Sequence, residues 1–237
     1  MCSTDNIMND QRVQEIYEKY VKINDTTEYR NKYVPLPMHL NDGKWKWEKK
    51  DFARVIALLE FREWMSFTNK KFNSVLSFGS YAAPVYDPEY EYLQYRERWD
   101  LNYEHSVNWD LHTLLLTRKD FDFVMINQVI EHLYNPILAL QNIYKYMAVG
   151  GIFYANVPVN NIPHSTPYHY YTGITPVGLG VMLELAGFEI LKIGQWGSKE
   201  YLKQSYDHIW SDYTYSSTPG KNDMDCPLIT WCFAIKR

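Results

Sequence analysis

Apolar positions along the chain follow two rhythms. Val13, Ile16, Tyr17, Tyr20 and Val21 recur at three- and four-residue intervals among Gln, Glu and Lys, which predicts an amphipathic helix over residues 10–23. Phe52, Val55, Ile56 and Leu59 keep that period and predict a second helix ending near Thr68-Asn69. Between them, YVPLPMHLNDGKW (33–45) has two prolines and a glycine and predicts a connecting loop. From Ser74 the pattern changes. SVLSF (74–78), FDFVMIN (121–127) and IFYANVPV (152–159) are short apolar runs rich in β-branched and aromatic residues, as strands buried on both faces require. Residues 91–99 predict a further strand finishing at Asp100.

Helical segments alternate with these strands. PILALQNIYKYM (136–147) carries Pro136 in its first turn, and Gly150-Gly151 is expected to stop it. TPVGLGVMLELAGF (175–188) has Thr175 as N-cap, Pro176 at the first helical position and Gly187 at the C-terminal stop. FEILKIGQW (188–196) and PLITWCFAIK (227–236) predict two more strands. Strand–helix–strand alternation predicts an α/β fold, a parallel sheet with helices on both faces. No helix is predicted between the last two strands, so they are expected to pair antiparallel at the sheet edge around an insertion, residues 197–226.

Composition narrows the function classes. A formal net charge of −4, with no basic stripe beyond the short Lys44-Trp45-Lys46-Trp47-Glu48-Lys49-Lys50, argues against a nucleic-acid partner. Three cysteines, Cys2, Cys226 and Cys232, form neither a disulfide framework nor a metal-ligand cluster and suit a reducing compartment. The polar start MCSTDNIMND is unlike a secretory signal, and no apolar run reaches the length of a membrane span, so a cytoplasmic protein is expected. The 21 tyrosines follow a general bias toward Tyr, Asn, Lys and Ile, except where they cluster around residue 170.

In an open α/β sheet the ligand lies outside the carboxyl ends of the strands. Gly79 ends the first strand, and Asp100 follows at about the 20-residue offset at which an acidic side chain accepts from ribose hydroxyls. The second and third glycines of a dinucleotide fingerprint are missing, which weighs against an NAD-dependent oxidoreductase. NNIPHSTPYHYYTGITP (160–176) gathers His164, Tyr168, His169, Tyr170 and Tyr171 between prolines. It reads equally as a recognition loop for a polar acceptor and as a polar, well-packed crossover. His132 lies just past strand 121–127 and is either a candidate acid/base group or a structural cap. No carboxylate at ligand spacing accompanies these histidines, so no metal is expected.

Taken in order, VLSFGS, WDLN, WDLH, FDFVMINQVIEHLYNP, MAVGGIFYANVP and ITPVGLGVMLELAGFEI resemble class I S-adenosylmethionine-dependent methyltransferases, in the branch that includes small-molecule and sugar methyltransferases. The resemblance implies a Rossmann-like methyltransferase fold. Its sheet is seven-stranded and mostly parallel, with an antiparallel last strand and helices on both faces. It also implies a methyltransferase-like domain over 71–237 behind an N-terminal helical extension or cap, 1–70.

The implied roles follow position by position. Gly79, Ser80 and Tyr81 would approach the methionine part of S-adenosyl-L-methionine. Asp100, helped by Asn102, would hold the ribose, and Asp110 and Leu111 the adenine. Asn127 and Gln128 would face cofactor and substrate, with His132, His164 and His169 as catalytic candidates. The loop departs from the family's Gly-x-Gly-x-Gly, since Ser80, Tyr81, Ala82 and Ala83 follow Gly79. The implied activity is methyl transfer to a small-molecule acceptor, first a sugar hydroxyl. The alternative is an inactive methyltransferase-like binding or scaffold protein.

Overall fold

The computed structural model describes residues 8–22, 52–68, 70–78, 88–101, 110–164, 166–207 and 221–237. Of the site positions expected from sequence, Gly79, Ser80, Tyr81 and Asn102 lie outside these residues, as does the loop 33–45. Six strands form one sheet: β1 (Lys71–Phe78), β2 (Gln94–Leu101), β3 (Phe121–Asn127), β4 (Met147–Pro158), β5 (Glu189–Trp196) and β6 (Ile229–Ile235). Their order is β2-β1-β3-β4-β6-β5. β2, β1, β3 and β4 are mutually parallel, and β6 runs antiparallel to both β4 and β5.

The expected seven-stranded sheet is thus six-stranded among the described residues. The residues just before Asp110 lie outside the described residues, and residues 110–120, a turn and irregular chain, add no strand. Their backbone is held by a side chain: Asn142 Nδ2 donates to the carbonyls of Leu111 (3.0 Å) and His112 (2.7 Å). The last two strands do pair antiparallel, but β6 lies inside the sheet and β5 forms the edge. The insertion between them contains a helix, α5 (Lys199–Asp207).

The other helices are α1 (Asp10–Ile16), which continues as a π-helical segment over Tyr17–Lys22, α2 (Phe52–Thr68), α3 (Pro136–Tyr146) and α4 (Pro176–Leu185). Local chemistry explains their ends. Thr175 Oγ1 accepts from the Gly178 N–H at 3.1 Å, Pro176 occupies the first turn, and Gly187 takes φ +99° where a Cβ would be strained. Asn135 caps α3 in the same way. The glycine pair does not stop α3, however. The helix ends at Tyr146, and β4 starts at Met147. Gly150, at φ +76°, bends the strand while its N–H donates to the Lys236 carbonyl at 2.8 Å.

Because side chains alternate across a strand, each central strand feeds two cores. Phe121, Val124 and Ile126 of β3, with Phe153, Ala155 and Val157 of β4, meet α1, α3 and α4. Phe123, Met125 and Tyr154 point the other way, against Phe61 and Trp64 of α2 and Trp231 and Phe233 of β6. Arg12 reaches Glu184 with Nε and Nη2 (2.7 and 2.6 Å), tying α1 to α4. Buried Glu60 of α2 accepts from Trp231 Nε1 at 2.5 Å.

That last contact sits over Gly194 of β5, where a Cβ would collide with both the Trp231 indole and the Glu60 carboxylate. Gly194→Ala is therefore expected to destabilise the fold by about 1–3 kcal/mol, because a packed interior has no free volume for the extra carbon. A urea midpoint lowered without a change in slope would show it.

Candidate active site

Parallel pairing brings the carboxyl ends of β1, β2, β3 and β4 to one edge, and the polar residues of the chain's centre gather there. Ser77 and Asp100 are register partners on β1 and β2. Three donors converge on Asp100 Oδ1: Ser77 Oγ (2.9 Å), Arg98 Nε (2.7 Å) and Tyr90 Oη (3.3 Å). Arg98 shares a strand face with Asp100 two residues on, and its guanidinium lies over the Tyr90 ring, 3.6 Å from the centroid. A carboxylate held this firmly at a strand end is pre-oriented.

Asp110 follows in the turn region. Its Oδ1 accepts from the His112 backbone N–H at 2.9 Å and stands 2.8 Å from His112 Nδ1. His112 Nε2 accepts from the Asn135 N–H at 3.2 Å, so the proton is on Nδ1, which donates to Asp110. Burial raises the Asp110 pKa, but the His112 donors outweigh it, and the carboxyl sits below its ordinary value. The His112 ring stacks on Tyr134, with centroids 3.7 Å apart. Leu111 is buried in the core cluster beside them.

At the ends of β3 and β4, Asn127 and Asn156 are register partners. Asn156 Nδ2 donates to Asn127 Oδ1 at 2.7 Å. Gln128 closes the knot from φ +55°, donating its backbone N–H to the Asn156 carbonyl (2.9 Å) and Nε2 to Asn156 Oδ1 (2.8 Å). Arg54 of α2 also donates to Asn156 Oδ1, and its Nη2 lies 4.0 Å from Glu89 Oε1.

Beyond this knot the chain brings three histidines together. The chain at Gly173 and Ile174 folds back against the end of β4: Ile174 N–H donates to the Pro158 carbonyl, and Gly173 packs on the Val159 backbone too closely for any Cβ. The Tyr170 and Tyr171 N–H groups donate to the Glu131 carbonyl at 3.0 and 3.2 Å. That clasp sets His164 and His169 beside His132, with ring centroids 4.9 Å (132–164), 5.2 Å (132–169) and 4.5 Å (164–169) apart. Burial holds the His132 pKa below its ordinary value, opposed by the Tyr168 carbonyl and helped by His164. Burial and then the two neighbouring rings lower His169 in the same direction.

Glu131, next to His132, is fully buried, and neither carboxyl oxygen has a hydrogen-bond partner among the described residues. Desolvation pushes it up to about 8, against the opposing charge of Arg54.

The fold thus brings Asp100, Asp110, Asn127, Gln128, His132, His164 and His169 to the carboxyl-end side of the sheet, with Leu111 packed beneath the turn. Arg54, Tyr90, His112, Glu131 and Asn156 join this region with no role expected for them from the sequence. His112, Glu131 and Asn156 lie inside the motifs WDLH, VIEHL and ANVP, whose polar members could have been marked. Arg54 sits in an amphipathic helix, where an arginine carries no such signal. A separate surface recess lined by Arg62, Ser66, Lys70, Tyr92 and Gln94 lies near the amino ends of β1 and β2.

Residues 63–155 match the family described as a methyltransferase domain. Comparison with curated proteins gives no match. Similar solved structures include an S-adenosylmethionine-dependent methyltransferase from Clostridium acetobutylicum, at 10% identity and TM-score 0.49, covering 87% of this chain and 98% of that one. One from Archaeoglobus fulgidus is 18% identical, with TM-score 0.48 and coverage of 78% and 95%. One from Mesorhizobium loti is 12% identical, with TM-score 0.45 and coverage of 76% and 100%.

The buried Glu131 gives the site a pH signature. Its folded-state pKa lies above the unfolded value, so between roughly 4.5 and 8 the native state binds more protons than the unfolded chain. Stability is therefore expected to fall as pH rises through that window. Glu131→Gln, which cannot ionise, should remove this part of the slope in urea titrations run at several pH values.

Proposed function

We propose that the domain transfers the methyl group of S-adenosylmethionine to a hydroxyl of a small polar acceptor, with a sugar as the first candidate. The observation that carries this reading is the gathering of three histidines and their tyrosine-rich loop at the same sheet edge as Asp100 and the Asn127–Gln128–Asn156 knot.

The donor set suits the cofactor. Asp100, preset by Ser77, Tyr90 and Arg98, offers carboxylate acceptors at the strand end where ribose hydroxyls bind in such sheets. Asp110, kept ionised by His112, would accept from the adenine amino group. Asn127 and Gln128 would face the methionine part and the acceptor. When bound, S-adenosylmethionine supplies an electrophilic methyl on a sulfonium, and carboxylates and amide oxygens suit that cation.

The chain's own contribution is placement and proton management. Holding an acceptor oxygen in line with the methyl supplies much of the rate advantage, since an intermolecular encounter becomes a positioned one. A hydroxyl becomes a better nucleophile as it loses its proton. His132, His164 and His169 are the groups offered for that role. Tyr168 and Tyr170 are exposed on the loop and give an acceptor with both hydroxyls and apolar faces something to pack on. In this reading residues 71–237 form the methyl-transfer domain, and Arg54 from the N-terminal extension 1–70 braces its edge.

Isothermal calorimetry with S-adenosylmethionine, S-adenosylhomocysteine and NAD tests the cofactor assignment. Saturable binding of the first two and none of the third is expected. Asp100→Asn should weaken binding roughly 10–100-fold, the cost of a hydrogen bond to a charged group. Absence of binding by either sulfur compound would favour the inactive scaffold. For the acceptor side, His164→Ala and His169→Ala should leave cofactor affinity intact and lower turnover on hydroxylated acceptors by about 100-fold or more. Unchanged turnover in both would remove the histidines from the reaction.

A further inference from the structure

We propose that His132, His164 and His169 form a site for one divalent transition-metal ion of the kind that imidazoles prefer, such as Zn2+. One ring nitrogen of each lies within 4.8 Å of those of the other two. A tetrahedral ion bound at about 2.0–2.1 Å to each nitrogen needs roughly 3.3–3.5 Å between them, so side-chain rotations of about 1 Å complete the shell.

The rings are already oriented for this. His132 Nδ1 meets the Tyr168 carbonyl at 2.9 Å, and His164 Nδ1 meets the Ile162 carbonyl at 3.0 Å. A carbonyl can only accept, so in both rings Nδ1 carries the proton and Nε2 keeps its lone pair. A carbonyl on one nitrogen and a lone pair on the other is the arrangement that ligating imidazoles adopt. His169 adds an independent observation. Both of its ring nitrogens are buried, and neither has a hydrogen-bond partner among the described residues. A buried, unpartnered acceptor turned into a cluster of two others is what a cation would satisfy.

A carboxyl group also lies close to the trio. Glu131 Oε1 stands 3.9 Å from His132 Nε2, and both carboxyl oxygens are buried without hydrogen-bond partners among the described residues. The carboxylate that no ligand spacing in the sequence supplied to His164 and His169 is brought up by the fold, from the residue preceding His132. Three imidazoles leave one position of a tetrahedral ion open. The consequence for methyl transfer rests on the reading above with one change: with the ion bound, the three imidazoles are its ligands, and the ion in place of a free imidazole would polarise an acceptor hydroxyl in that open position. The site itself stands on the trio alone.

The test uses the full chain, stripped with a chelator and titrated with CoCl2 and, in competition with a chromogenic chelator, with ZnCl2, in the absence of cofactor and acceptor. One equivalent per chain is expected, with the intense visible absorption of four-coordinate cobalt. His164→Ala and His169→Ala should weaken binding by at least about 100-fold, since loss of a ligand costs more than loss of a ligand's hydrogen-bond partner. His164→Gln and His169→Gln, closer in volume, repeat the test should either alanine variant misfold by circular dichroism. His112→Asn, which alters a histidine outside the trio, should still bind one equivalent. No stoichiometric binding, or binding unchanged in both the His164 and the His169 variants, would overturn the site and leave the rings as a packed cluster. Failure of this titration leaves the methyl-transfer reading untouched, and failure of the cofactor calorimetry leaves the metal site untouched.

Discussion

The parallel pairing of β3 with β4 is the constraint on which the rest depends. Both strands are covered on two faces by apolar side chains, so polar groups at their carboxyl ends must be satisfied within the protein. Asn156 meets that demand. Fully buried, it bonds to Asn127 across the ladder and to Gln128 beyond it, and it receives Arg54 from a helix about a hundred residues earlier in the chain. Gln128 takes a left-handed backbone to reach it, which turns the chain toward Glu131 and His132. Glu131 then anchors the returning loop through its carbonyl. From one ladder position outward, each contact places the next.

The sheet's elements were legible because burial leaves a periodic trace. FDFVMIN had to be a two-sided strand, and Thr175, Pro176 and Gly187 mark a helix by mechanisms local to a few residues. The position of β6 was less legible. Nothing in PLITWCFAIK distinguishes an edge strand from an interior one, since both neighbours of an interior strand are chosen by the whole fold. The glycine pair misled for a related reason. Gly150-Gly151 has the composition of a helix stop, yet the sheet claims the backbone from Met147 onward, and the left-handed glycine serves as a bend within a strand.

The site divides along the same line. Asp100 was legible as a candidate because strand ends are predictable and acidic residues there are few, whereas Asp110 stands next to a turn. The histidine cluster could not be found, since it is a property of distance. His132 and His169 are 37 positions apart, and their meeting is decided by the Tyr170 and Tyr171 amides docking on Glu131. The loop itself holds no carboxylate at ligand spacing, and Glu131 is brought near from the short helical turn Ile130–His132. Arg54 and Tyr90 likewise act through tertiary placement, and their local patterns announce only helix and turn.

The interior place of β6 has a bearing on how the chain reaches its native state. β5 is made before β6 yet borders no other strand among the described residues, so its ladder there forms only when β6 arrives. Until then β4 presents an open edge with a long row of unpaired amides and carbonyls, flanked by apolar faces, a template for pairing with other chains. The Trp231 indole that donates to Glu60 of α2 belongs to that same strand. A nascent chain that has made β1 to β5 but not β6 would carry that open edge, and species with unpaired edges and exposed apolar faces are prone to aggregate.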